Sequence, residues 1–186
     1  MTVFIIILVI VVIIALFIAA VYNELVSLKQ RVSNAWSQID VQLQRRFDLI
    51  PNLVETVKGY MKHESGTLEK IAELRTSWAG ATTPEEKMKL NSELSGTLKT
   101  IMAVSESYPD LKANENFMSL QNDLGDTENK ISFARQFYND TVTKYNTAIQ
   151  VFPNNIVANM FKFGASALFV VESDEARKAV KVDFND

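Results

Sequence analysis

Residues 3–21 consist of Ile, Val, Leu, Phe and Ala, and no charge interrupts them. As a helix this run of about 19 residues is about 28 Å long, close to the hydrocarbon thickness of a bilayer. Such a run has to be withdrawn from water, and its length predicts a membrane span over residues 1–22. An uncleaved anchor is expected rather than a signal peptide. The apolar run exceeds a typical signal core, no basic segment precedes it, and Ile18-Ala19-Ala20 is a weak cleavage site. On the far side stand Lys29, Arg31, Arg45 and Arg46. The positive-inside tendency then puts a single-pass protein's domain in the cytoplasm.

The chain beyond the anchor is the size of one domain, roughly 160 residues. Lys and Arg number 19 against 22 Asp and Glu, a balance that gives no reason to expect nucleic acid. The chain has no cysteine, which removes disulfides, thiol nucleophiles and Cys-based metal sites.

From Tyr22 onward the pattern is amphipathic. Leu25, Leu28, Val32, Ala35 or Trp36, Ile39 and Leu43 recur at three- and four-residue steps. No turn signal separates this stripe from the apolar run, so one helix is expected to pass through both. Pro51 interrupts the stripe by removing a hydrogen bond and crowding the carbonyl of Phe47. Its neighbours offer little turn chemistry, which favours a kinked helix continuing to Trp78 over a chain reversal. Thr83-Pro84-Glu85-Glu86 reads as a capping box with proline at the first helical position. It opens a second helix that ends before Tyr108-Pro109. A third begins near Asn114 and stops at Phe152-Pro153, and a short apolar helix starts at Ile156. The expected fold is all-α, an N-terminal transmembrane helix running into an antiparallel up-and-down bundle of three long helices plus a short fourth. The bundle domain spans residues 23–163 and a C-terminal tail residues 164–186.

Several stretches resemble the bacterial LemA family: Tyr22-Asn23-Glu24-Leu25-Val26, residues 32–43, residues 45–54, Val57-Lys58-Gly59-Tyr60, residues 106–114, Phe133-Ala134-Arg135, Tyr145-Asn146-Thr147-Ala148-Ile149 and Phe152-Pro153. Phe47 departs from the resemblance, standing where the family usually has His. The region of Phe169 to Val171 lacks the family's usual acidic-aromatic run. The resemblance implies a membrane-anchored α-helical protein of the bacterial inner membrane. Some relatives belong to magnetosome membranes, and family members tend to be encoded near membrane zinc proteases.

Chemistry is sparse. The single histidine, His63, precedes Glu64, but position 67 is Thr67 rather than the second His of a zincin site. No phosphate loop, nucleophile with a base, or paired carboxylates stand out, so no enzymatic activity and no cofactor are expected. Asn34, Gln38 and Gln42 share one helix face, where polar groups either meet water or fix register. Asn139-Asp140-Thr141 fits a glycosylation sequon but falls within a helix.

Two groups are candidate partner or oligomer contacts. Arg45, Arg46 and Asp48 form a charged cluster. Ile156, Met160, Phe161, Phe163 and Phe169 belong to an apolar segment with Lys162 as its one charge. That segment either caps the bundle or contacts another subunit or lipid. With a continuous helix from Tyr22 to Trp78, about 85 Å long, it lies at the tip far from the membrane. With a reversal at Pro51 it lies near the anchoring bilayer. The expected function is a membrane-anchored scaffold that self-associates as a homo-oligomer and organises or shapes membrane or recruits partners. The alternative is an adaptor or regulator of a membrane protease or an envelope-stress signalling system.

Overall fold

The computed structural model describes residues 1–61 and 65–170. These residues form helices and connections, with no strand among them. The first helix, α1 (Thr2–Asp48), is unbroken across the apolar run and the amphipathic stripe. The large apolar side chains from Val3 to Phe17 are all exposed. Burial begins at Val21 and continues through Leu25, Leu28, Val32, Ala35, Ile39, Leu43, Arg46 and Phe47. Those three- and four-residue steps keep one face of the helix on the core. Among the described residues this is the one helix long and apolar enough to cross a membrane.

Pro51 acts as expected, by loosening the helix without reversing it. Leu49 alone separates α1 from α2 (Ile50–Lys58). The Leu49 N–H donates to the Arg46 carbonyl at 3.3 Å, and the Leu53 N–H donates back to Leu49 at 3.1 Å. The missing N–H of Pro51 falls in the first turn of α2, where it costs no helical bond. The buried stripe runs on through Ile50, Leu53, Val57 and Met61.

The expected continuation to Trp78 is not formed. The chain reverses between Lys58 and Ser65, and α3 (Ser65–Gly80) runs back down α2 and the top of α1. Trp78 stacks on Phe47 with ring centroids 4.1 Å apart, and its indole N–H donates to the Gln44 side chain at 3.0 Å. A longer helix would have left Ile71, Leu74 and Trp78 in water; folded back, all three are buried. Gly59 and Gly66 weaken helix at this point by about 1 kcal/mol each relative to Ala. His63 and Glu64 lie outside the described residues.

The capping box forms as read from the sequence. The Thr83 hydroxyl accepts the Glu86 N–H, and the Glu86 carboxylate accepts the N–H groups of Thr82 and Thr83. Those backbone donors hold the Glu86 pKa below its ordinary value. From there α4 (Pro84–Ser105) climbs beside α1, with Lys87 paired to Asp40. A single turn, α5 (Pro109–Lys112), leads to α6 (Glu115–Ala148), whose N-cap Asn114 also donates to the Tyr60 hydroxyl. The sixth helix descends the length of α1. Glu128 faces Arg46, Tyr138 faces Trp36, and Ala148 reaches Val21 and Leu25. Last, α7 (Asn154–Met160) packs on Val21 and Leu25.

The bundle is therefore all-α and antiparallel, but the first of its expected long helices is folded into two legs. The extra reversal changes the direction of everything after it. The first part of the C-terminal apolar segment, α7, expected at the distal tip, sits instead where α1 leaves its apolar run.

Candidate functional site

The charged cluster expected to meet a partner is divided by the helix it sits on. Arg45 and Asp48 are exposed, with Asp48 accepting a 2.8 Å hydrogen bond from Gln44. Arg46 turns inward and is 4 % exposed. It lies three residues after Leu43 and four before Ile50, a core slot in the heptad-like spacing that could have signalled its burial. Three acceptors converge on its Nη1: Asn91 Oδ1 at 2.7 Å and Ser95 Oγ at 2.9 Å from α4, and Glu128 Oε2 at 2.7 Å from α6. Its Nε is buried without a partner among the described residues. Burial lowers the Arg46 pKa and the charge of Glu128 opposes that shift. Arginine stays charged under such pressure. The group thus joins three helices through one cation, and an open groove of about 980 Å³ runs alongside it. Sequence reasoning missed Asn91, Ser95 and Glu128, because no local pattern links them to Arg46.

The apolar C-terminal group also divides. Phe169 is 3 % exposed, packed by Trp36 and by the guanidinium of Arg135, 5.9 Å from its ring centre. Phe163 is half-buried against Tyr22 and below the ammonium of Lys29. Ile156, Met160 and Phe161 remain exposed on α7 and its end.

Residues 164–170 run back up α6 as an extended strap. An extended segment without a neighbouring strand must find other partners for its backbone. Asn139 supplies both a donor and an acceptor to Phe169, and Asn146 does the same for Ser166. The hydroxyls of Tyr138 and Tyr145 donate to the carbonyls of Ala167 and Gly164, both at 2.9 Å. Asn139, read as part of a sequon, is thus engaged in holding the strap. Residues 171–186 lie outside the described residues.

Burial, with Glu85 adding to it, raises the Tyr138 pKa above its ordinary 10.0, and burial raises that of Tyr145. A raised folded-state value means that the folded protein holds these protons more tightly than the unfolded chain. The contribution is complete below about pH 10 and is lost as pH rises through the folded-state values. A phenolate also has no proton to donate to the strap carbonyls. A nitroxide at the exposed Leu168 should therefore gain mobility only as pH rises through those folded-state values, above the ordinary 10.0, and replacing both tyrosines with Phe should free it at neutral pH. A label that stays immobile in the double Phe variant would contradict this.

On the flank, Val41 of α1 and Phe133 and Phe137 of α6 are 63 %, 75 % and 55 % exposed. With Gln38, Gln42 and Lys130 they line one shallow groove between the two longest helices. Gln38 and Gln42 belong to the polar face noted in the sequence. No group of three or more His, Cys, Asp or Glu side chains among the described residues could hold a metal ion. What these arrangements offer chemically is contact surface. Among protein families, the LemA family model matches residues 35–184. No curated protein matches the chain significantly.

Proposed function

The chain belongs to the LemA family, and on that premise we propose that it is a non-enzymatic scaffold held in the bacterial inner membrane by one span. Its bundle stands in the cytoplasm and self-associates in the membrane plane, organising or shaping membrane or recruiting partners. The observation that carries this reading is the single helix Thr2–Asp48. Its apolar part is exposed, its buried face begins at Val21, and nothing flexible lies between the two. A bundle attached in this way turns with its anchor.

Two copies in one bilayer stand at the same height with their α1 helices parallel. Like surfaces then meet about a two-fold axis normal to the membrane. The groove at Val41, Phe133 and Phe137 suits such a contact, with exposed aromatic side chains bordered by the Gln38 and Gln42 amides and a single charge, Lys130.

The absence of native cysteine makes Val41→Cys a clean reporter. The full-length variant in membranes should form a disulfide-linked dimer on mild oxidation. In lipid nanodiscs the native chain should have the mass of more than one copy. Adding Phe133→Asp and Phe137→Asp should abolish the crosslink while the protein still floats with lipid. A strictly monomeric mass at high concentration, without crosslinking, would overturn the proposal.

A further inference from the structure

We infer that the underside of α7 is a second membrane contact, lying in the interface of the same bilayer that α1 crosses. This rests on the reading of α1 as a membrane span. The first element is the level at which α7 packs. Val157 and Ala158 of α7 pack on Val21 and Leu25, with Ile18 against the same cluster. Ile18 lies inside the apolar run, so α7 stands beside the last turn of the span.

The second element is the face left uncovered. Ile156 and Met160 stand four residues apart on α7 and are 59 % and 54 % exposed, and Phe152, in the turn that leads into the helix, is 79 % exposed. Phe161 adds a fourth apolar side chain at 47 %. Residues 151–161 contain no charged side chain. An apolar helix face beside a span is the composition of an interfacial helix. A protein partner on this face would have to enter between α7 and the lipid.

Aromatic and basic groups border the face as they border a bilayer. Tyr22 packs on Phe161 and Phe163, with ring centroids 4.7 and 5.7 Å apart. The helix ends in a Schellman motif, the Phe163 N–H donating to Ala158 and the Lys162 N–H to Asn159. Lys162 takes the left-handed position at φ 58°, where glycine is the unstrained choice. The strained position is thus occupied by an exposed ammonium, with Lys29 near Phe163 above it. Both suit anionic headgroups.

The test uses the full-length protein in vesicles of mixed zwitterionic and anionic phospholipid. An environment-sensitive fluorophore is placed at Ile156→Cys, and a reference label at Asp48→Cys. The label at 156 should be quenched by nitroxide lipids at a depth of about 5–10 Å in the headgroup and acyl boundary, and shielded from aqueous iodide. The label at 48 should behave oppositely. If the protein floats with the vesicles but both labels meet iodide equally, the α7 contact is refuted and the span stands. If shielding at 156 depends on protein concentration and nitroxide lipid has no effect, a second copy covers the face and the proposal is overturned. If the protein fails to float at all, the span fails and the α7 contact with it.

Discussion

Replacing Glu128 with alanine should destabilise the bundle by about 3 kcal/mol, while Arg46→Met should change stability by about 1 kcal/mol or less in either direction. The asymmetry arises from burial. Arg46 is 4 % exposed and Glu128 is 49 % exposed. Removing Glu128 leaves a buried cation with only the neutral Asn91 and Ser95 for company. The expected cost is at the low end for such a loss, because water reaches the half-exposed position and screens part of it. Removing Arg46 instead abolishes the desolvation cost that lowers its pKa, and leaves a carboxylate that water can reach. Denaturation of the full-length protein in mild detergent, monitored by circular dichroism, measures both changes. An Arg46→Met variant as damaged as Glu128→Ala would mean that the guanidinium stabilises this junction by more than its desolvation costs. The double variant adds the coupling energy between the two residues.

The second large effect is at Trp78. Its side chain stacks on Phe47, donates to Gln44, and lies beneath the Lys87 ammonium, 5.2 Å from its ring centre. Trp78→Ala should cost about 3–5 kcal/mol, the usual penalty for emptying a buried aromatic site. The loss should be local, because Trp78 joins α3 to α1. Hydrogen exchange should accelerate most in residues 65–105, with residues 115–148 less affected. Trp78→Phe keeps an aromatic ring on Phe47 and forfeits mainly the indole hydrogen bond, so about 1 kcal/mol is expected. In a helix continuous past Lys58 the tryptophan would stand about 50 Å from Gln44. A nearly neutral Trp78→Ala would therefore favour that arrangement and reject the reversal.

Where the chain was legible, the signals were local. The apolar run, the steps from Leu25 to Leu43, the capping box at Thr83 and the stops before Tyr108 and at Phe152 each involve residues within a turn or two of one another. Helix hydrogen bonds and caps act over that distance. The effect of Pro51 was legible for the same reason, since its missing bond concerns Phe47 alone.

The placement of the candidate contacts was another matter. Arg46 and Arg45 are neighbours in a charged sequence, but helix phase turns one into the core and the other to solvent. Ile156 and Phe169 belong to one apolar segment, but Trp36 and Arg135 cover only the second. The phase of Arg46 is local, but the groups that meet it, and the cover over Phe169, come from residues more than thirty positions away.

By itself, then, the sequence determined an all-helical chain with a membrane-length apolar helix running into an amphipathic one. Only the tertiary structure decided that the chain turns back between Lys58 and Ser65. The physical reason is that a helix stripe states which face seeks cover without naming the cover. Ile71, Leu74 and Trp78 bury themselves by folding back on α1 and α2 and against α4. That one reversal sets the direction of α6, and so brings α7 to the end of the apolar run.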